Sequence, residues 1–332
     1  MNKKAIALIS GGLDSVLAAK VIMDQGIEVV GVCFVMPFAS RDVDAFQRRV
    51  KVAAEDAGVR ARFVDISDIF LKMLQDPQHG YGANINPCID CKILMLRRAK
   101  EMMSALGAGF VVTGEVLGER PMSQGRGALL EIEKQSGLEG LLLRPLTAKN
   151  LEETLPEKEG VVDRQRLLDI SGRSRKRQYL LAEKYNIRKF FAPAGGCLLT
   201  DPVFARKLKD LMRAGALEMN DVTLLKHGRH FRLDERTKVV IGRDEKDNEN
   251  ILNTGKDGDV MMWIRDEVGP QVLLRGDTSP ESIKKAAGLL IGHSKMRDAE
   301  ETVVEFWMHG TDEKQTITAR AIPREEIEKL RI

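Results

Sequence analysis

The sequence predicts an α/β protein: a parallel sheet covered on both faces by helices, followed by a smaller α+β domain. Three observations carry this. Short strands that are apolar throughout, such as Ala5-Ile6-Ala7-Leu8-Ile9 and the stretch 28–34, alternate with helical stretches across the first half, as in a sheet buried on both sides. A glycine turn joins the first of these strands directly to a helix. Beyond about residue 220 the texture changes to hairpin-like alternation around His227-Gly228.

In order, strands are expected at 5–9, 28–34, 61–65 and 109–113, with helices near 14–25, 41–57, 66–74 and 89–106. Leu141–Leu146 reads as a fifth strand, ended by Pro145. Helical stretches follow near 163–170 and 174–186, then a loop at 192–197 and a charged connecting helix near 202–216. The second domain is expected to hold strands at 222–225, 230–233, 238–242, 259–264, 271–275, 302–308 and 315–321, with helices at 244–253 and 279–291. This divides the chain into a first domain over 1–205, a helical linker over 206–221 and a second domain over 222–332.

With 332 residues the chain is long enough for two cores, and 43% hydrophobic with 30% charged residues is a globular composition. Its apolar runs are too short to span a bilayer, and the N-terminus passes at once into the first strand and its glycine turn, so no membrane contact and a cytoplasmic location are expected. Four cysteines are too few for a secreted disulfide scaffold. Net charge is +3, but Arg173-Ser174-Arg175-Lys176-Arg177 puts four cations in five residues, a run suited to phosphate contacts. Aromatic residues make up only 5%, which argues against a base-stacking platform.

The chemistry starts at Ser10-Gly11-Gly12-Leu13-Asp14-Ser15. Glycines let backbone approach a phosphate, and the helix that follows presents free N–H groups and its positive dipole end. No Gly-Lys-Ser/Thr is present, so this is not a loop that grips phosphates with a lysine. Asp14 instead brings a carboxylate suited to Mg²⁺. Ligands of parallel sheets bind beyond the strands' carboxyl ends, which places the Ser10 loop, the Cys33–Phe38 end and Thr113-Gly114 on one edge. Cys33 itself also reads as a small core thiol in a buried strand. Asn86-Pro87-Cys88-Ile89-Asp90-Cys91 opens a helix, where the dipole favours thiolate, and the Cys-x-x-Cys spacing lets both sulfurs reach one metal. Cys197 supplies a third thiol. His227 and His230 lie near a hairpin and read as surface residues.

The Ser10–Ser15 string resembles the pyrophosphate loop of the PP-loop ATP pyrophosphatases, which split ATP between its α- and β-phosphates. Within that superfamily, the loop, Asn86-Pro87-Cys88 and Cys197 together are similar to the tRNA thiouridine synthases of the 2-thiouridylase and 4-thiouridine synthase types. Thr113–Gly118, Ser123-Gln124 and Arg144-Pro145-Leu146 resemble segments of the latter. The resemblance covers about residues 1–205 and implies ATP-dependent uridine thiolation on tRNA, with Asp14, Cys88, Cys197 and Lys149 as catalytic candidates. It implies ATP contacts at Ser10, Gly11, Gly12, Asp14, Ser15, Cys33, Gly114, Arg175 and Lys176. Cys88, Cys91 and Cys197 match a three-thiolate [4Fe–4S] pattern, with persulfide chemistry, zinc or no metal as the alternatives. The sulfur donor would be a cysteine desulfurase or sulfide. An amidating ligase with structural zinc, and an RNA-binding quality-control factor with an inert nucleotide domain, are the competing functions.

About residues 225–310 resemble the NFACT-R domain of ribosome quality-control proteins, through Val239–Glu249 and Asp259–Asp266. That resemblance implies RNA binding, and would replace the RNA-capturing domain that 4-thiouridine synthases carry before their loop. Gly269-Pro270-Gln271 stands where that family has a Gly-x-His turn, so the histidine is missing here. Trp263 is expected in the core and Arg243 on the surface.

Overall fold

The computed structural model describes residues 2–191, 197–215 and 217–332. They form two compact units, Met1–Asp201 and Pro202–Ile332. The expected boundary at 205–206 falls inside a helix of the second unit.

The first unit runs β1 (Lys4–Leu8), α1 (Leu13–Met23), β2 (Glu28–Val35), α2 (Val43–Asp56), β3 (Ala61–Asp65), α3 (Ser67–Gln75), α4 (Cys88–Leu106), β4 (Phe110–Val112), α5 (Arg126–Ser136), β5 (Leu142–Leu143), α6 (Leu155–Lys158) and α7 (Lys176–Lys184). The five strands are parallel in the order β3-β2-β1-β4-β5. Alternation sends Ala5 and Ala7 to the face packed by α1, while Ile6 meets Ile93, Leu96 and Ala99 of α4 and Ile132 of α5 on the other. Helix α1 is buried on nearly all sides, because it packs on β1 and β2 and is covered by α7. From β1 the chain steps to β2 on one side and reaches β4 on the other. The switch point therefore lies between the carboxyl ends of β1 and β4, where Ser10 and Thr113 begin their loops.

The second unit runs α8 (Pro202–Arg213), α9 (Met219–Leu224), β6 (Arg229–Arg232), β7 (Lys238–Ile241), α10 (Glu245–Thr254), β8 (Val260–Ile264), β9 (Val272–Arg275), α11 (Pro280–Gly292), β10 (Thr302–Met308), β11 (Gln315–Ala319) and α12 (Arg324–Leu330). Its antiparallel sheet has the order β11-β10-β8-β9-β7-β6. Helix α11 covers one face, packing Ala286, Leu289 and Leu290 with Val260, Met262 and Val304. Leu224 and Ile251, from α9 and α10, pack on the other face against Val240, Met261 and Leu273. Helix α8 is held to the sheet by Asp210, which pairs both oxygens with Arg232 at 3.1 and 2.5 Å.

Four expectations change. Residues 222–225 fall in the helical turn α9 and its end, where Thr223 Oγ1 donates to Met219 O and Val222, Leu224 and Leu225 are buried. Residues 163–170 are helical only over the 3₁₀ turn Arg164–Arg166. Beyond it Leu168 N and Ile170 N bond to Pro145 O and Leu146 O, so the segment runs extended beside the end of β5. Helices α5 and α12 were not expected. The first is closed by Gly137 in the left-handed conformation, φ 67°, and the second follows Pro323.

Candidate active site

The nucleotide loop is built by its own hydroxyls. Ser15 Oγ donates to Gly12 O (2.8 Å), accepts from Ser10 N (3.2 Å) and lies 3.3 Å from Ser10 Oγ. Gly11 has φ +76°, and a Cβ there would stand 2.9 Å from the Phe191 ring, whose backbone N–H donates to Gly11 O. Gly12 opens α1 with no side-chain cap; Ser15 N donates to Gly12 O at 3.2 Å, which leaves Leu13 N and Asp14 N without a partner among the described residues.

Asp14, in that first turn, faces a polar cluster. Its Oδ2 is 3.4 Å from Arg175 Nη2, and Arg175 also holds Glu119 Oε1 through Nε (2.9 Å) and Nη2 (2.5 Å). Asp14 Oδ1 is buried without a hydrogen bond. The fully buried Gln178 faces the same carboxylate, and neither of its amide atoms has a partner of good geometry. Burial and the nearby Glu119 raise the Asp14 carboxyl to about 6, against the pull of Arg175. Gly114 abuts this loop: a Cβ there would come within 2.5 Å of Asp14 O and Ser15 N.

The cysteines lie on elements of the same sheet edge. Cys88 and Cys91 occupy the first turn of α4, where Cys91 N donates to Pro87 O at 2.8 Å. A 3₁₀ turn, Leu198–Thr200, brings Cys197 to them. Three bonds tie it down: Leu198 N to Phe38 O (2.9 Å), Ile85 N to Leu199 O (3.3 Å) and Asn84 Nδ2 to Thr200 O (2.7 Å). All three thiols are free, and the charge of one would be felt by the others. Residues 192–196 of the expected loop lie outside the described residues.

The expected depression of thiol pKa at the helix start is overturned for Cys91. Burial first, then Cys197 and Cys88, push it well above the ordinary thiol range, and Lys92 offsets only part of this. Burial likewise raises Cys197 to about 11. Among the described residues no three His, Cys, Asp or Glu side chains are arranged to hold a metal ion.

Two charged clamps hold this first turn, and neither was anticipated. Asp90, between the cysteines, accepts from His79 N and His79 Nδ1, both at 3.0 Å, while Gln135 Nε2 lies 3.1 Å from His79 Nε2. Lys92 pairs with buried Glu115, which also takes Arg144 Nε at 3.0 Å and Thr113 Oγ1 at 3.2 Å. Arg144 reaches on to Glu133 (2.8 Å) and Leu129 O (3.0 Å). Burial alone would raise the Glu115 carboxyl, but Lys92 and Arg144 outweigh it and hold it at about 2. The sequence signals were a lysine directly after Cys-x-x-Cys and a glutamate after Thr-Gly.

Other expected residues fall elsewhere. Cys33 is 2% exposed in the core, and burial pushes its thiol up to about 12, so it packs under the edge rather than lining it. Lys149 is exposed on the 3₁₀ turn Ala148–Asn150 with its ammonium on Gln165 O at 2.8 Å. Lys176 is exposed at the start of α7, and Arg177 pairs with Asp169 at 2.6 Å.

In the second unit Trp263 is not core: it is 39% exposed on the sheet face opposite α11. Its Nε1 donates to Glu305 at 2.7 Å, Trp307 stands edge-on at 5.2 Å, and Lys314 lies 4.4 Å above its ring. Arg243 pairs with Asp247, which also accepts from Gly228 N at 3.0 Å. Gln271 is buried and donates to Met262 O at 2.9 Å. His230, expected at the surface, is 1% exposed, and burial keeps its ring neutral. No described helix is long and apolar enough to cross a membrane.

Residues 1–156 match the thiamine biosynthesis protein (ThiI) family, and residues 228–331 match the NFACT protein RNA binding domain. The tRNA-specific 2-thiouridylase MnmA of Clostridium acetobutylicum is 31% identical over 131 residues, covering 34% of this chain and 36% of the relative. That of Sulfurimonas denitrificans is 27% identical over 121 residues, 35% and 36% respectively. A tRNA sulfurtransferase of Desulfurococcus amylolyticus is 28% identical over 155 residues, covering 46% of this chain and 31% of the relative. The chain thus spans about a third of the length of the curated relatives it matches. A solved 4-thiouridine synthetase–RNA complex with bound ATP aligns over 55% of this chain and 51% of that one, at 21% identity and a TM-score of 0.33.

Proposed function

We propose that this chain, which joins a ThiI-type nucleotide domain to an NFACT-type RNA-binding domain, is an ATP-dependent tRNA sulfurtransferase that thiolates a uridine. The observation that carries the reading is the pairing of an anion loop at 10–15 with three free cysteines gathered from α4 and the Cys197 turn of the same domain.

A uracil carbonyl oxygen is a poor leaving group, so it must first be activated. The carbonyl oxygen attacks the α-phosphorus of ATP, the α–β bridge breaks and pyrophosphate leaves. The free amides after Gly12, the Ser10 hydroxyl and the N-terminal end of α1 stabilise the charge gathering on that leaving group. Arg175 offsets one of the two charges of Asp14 and Glu119 and leaves Asp14 Oδ1 buried without a hydrogen bond. That orphaned, hard oxygen fits Mg²⁺, which when bound offsets further charge on the phosphates. Sulfur then attacks the activated ring carbon, and AMP departs with the former carbonyl oxygen.

Cys88, Cys91 and Cys197 supply the sulfur-handling half. Three free, half-buried thiols match a [4Fe–4S] cluster in donor type only, since the described residues do not hold three of them around one point, and such a cluster would supply an iron with a position open to sulfide. Anaerobically purified protein is then expected to be brown, and Cys197→Ala to bleach it. Colourless protein holding one equivalent of zinc overturns the cluster and leaves the thiols to a structural or persulfide role. Mass spectrometry of nucleosides from a deletion strain tests the function itself. Loss of one thiolated uridine is expected, and an unchanged nucleoside profile refutes it.

A further inference from the structure

Residues 113–115 touch both halves of this site at once. Gly114 lies so close to α1 that no side chain fits between it and the Asp14–Ser15 backbone. The next residue, Glu115, is buried and paired with Lys92, which follows Cys91 in the first turn of α4. The loop that would hold ATP and the turn that holds two of the cysteines are therefore joined through two consecutive residues and one ion pair. Glu115 is itself anchored by Arg144 at 3.0 Å and by Thr113 Oγ1, so Lys92 is the link that can be cut while the carboxylate keeps a cation.

We propose that Lys92 and Glu115 are positioning residues: their ion pair is a strut that fixes the cysteine turn relative to the nucleotide loop, so that sulfur meets the activated carbon before water does. This inference rests on the thiolation reading. Glu115 touches neither phosphate-loop donors nor a thiol, and it acts through Gly114 on one side and Lys92 on the other. A strut of this kind leaves nucleotide binding alone and governs how often activation ends in sulfur transfer.

The test uses the full-length protein, ATP with Mg²⁺, sulfide, and total tRNA from a strain lacking the gene, with AMP and thiolated nucleoside measured in the same reaction. Lys92→Met is expected to bind ATP within about twofold of wild type and to release AMP, yet to form at least tenfold less thiolated nucleoside per AMP. Lys92→Arg, which restores the charge, is expected to recover most of that ratio. Amide hydrogen exchange gives a readout independent of the sulfur donor: the first turn of α4 is expected to exchange several-fold faster in Lys92→Met at an unchanged melting temperature. Because Glu115→Gln leaves two buried cations facing one amide, it is a second variant, accepted only where its melting temperature matches wild type. A parallel fall of AMP and product, or a wild-type ratio in Lys92→Met, overturns the strut while leaving thiolation intact. Wild-type protein that releases no AMP and makes no thiolated product overturns the thiolation reading itself, and the strut with it.

Discussion

Asp14 is a carboxyl that the folded chain holds more readily as the acid than as the anion. Its pKa rises from 3.8 to about 6, so the folded state binds a proton that the unfolded chain has already lost between those two values. Stability from this group is therefore greatest below about pH 4 and is lost as pH climbs through 6, a cost on the order of 2–3 kcal/mol at neutral pH. Asp14→Asn is expected to raise the melting temperature at pH 8 and to leave it unchanged near pH 4, while abolishing Mg²⁺-dependent ATP binding. Calorimetry at the two pH values with ATP titration checks this, and a variant less stable than wild type at pH 8 refutes it. The loop residues could be read from sequence because their chemistry is local: strand, glycines, hydroxyl and carboxylate lie within a dozen positions. Cys91 could not be read that way. Its thiol is governed by burial and by Cys197, which stands more than a hundred residues away and raises rather than lowers its pKa.

At the scale of elements, the approach of β4's end to α1 is the tightest constraint on the site. Gly114→Ala forces a methyl into the Asp14–Ser15 backbone, which cannot swing aside as a side chain would. Overpacking of this kind costs about 1–3 kcal/mol, and here it also displaces the anion loop, so the KM for ATP is expected to rise at least tenfold. Gly127→Ala in α5 meets open space and is expected to stabilise by roughly 0.5–1 kcal/mol with no change in ATP affinity. Equal effects of the two substitutions would show that helix propensity, and not the contact with Asp14, sets the result. Most elements of the first unit were legible because β1, β2 and β4 are largely apolar runs, α2, α3 and α4 are amphipathic, and the glycine turn marks the start of α1. Helix α5 was missed because it starts at Arg126-Gly127 with no polar N-cap side chain, and its only clear signal is Gly137 at the far end. The turn α9 read as a strand because Val222, Leu224 and Leu225 are too few to separate a period of two from one of 3.6.

Across the whole molecule, charge is divided unequally between the two units. Residues 1–201 hold 29 Lys and Arg against 25 Asp and Glu, whereas 202–332 hold 23 against 24. The unit that matches an RNA-binding family therefore has no net cationic excess, and it exposes Trp263 beside Trp307 and Lys314 on a sheet face. The sequence pointed away from stacking, since 5% aromatic content says nothing of where two tryptophans sit once strand register places them side by side on β8 and β10. If tRNA binds as proposed, the two units contribute affinities of different physical kind. Removing exposed Arg173 and Lys176 is expected to weaken binding of every sequence alike and to flatten the dependence of log K on log salt by about one to two units. Trp263→Ala is expected to cost about 1–3 kcal/mol at every salt concentration with the slope unchanged, because stacking releases no counterions. Filter binding of the full-length protein to unmodified tRNA, titrated from low to high salt, separates the two. A flattened slope in Trp263→Ala would assign that face to phosphate contact through Lys314, and an unchanged affinity would remove it from the RNA surface altogether.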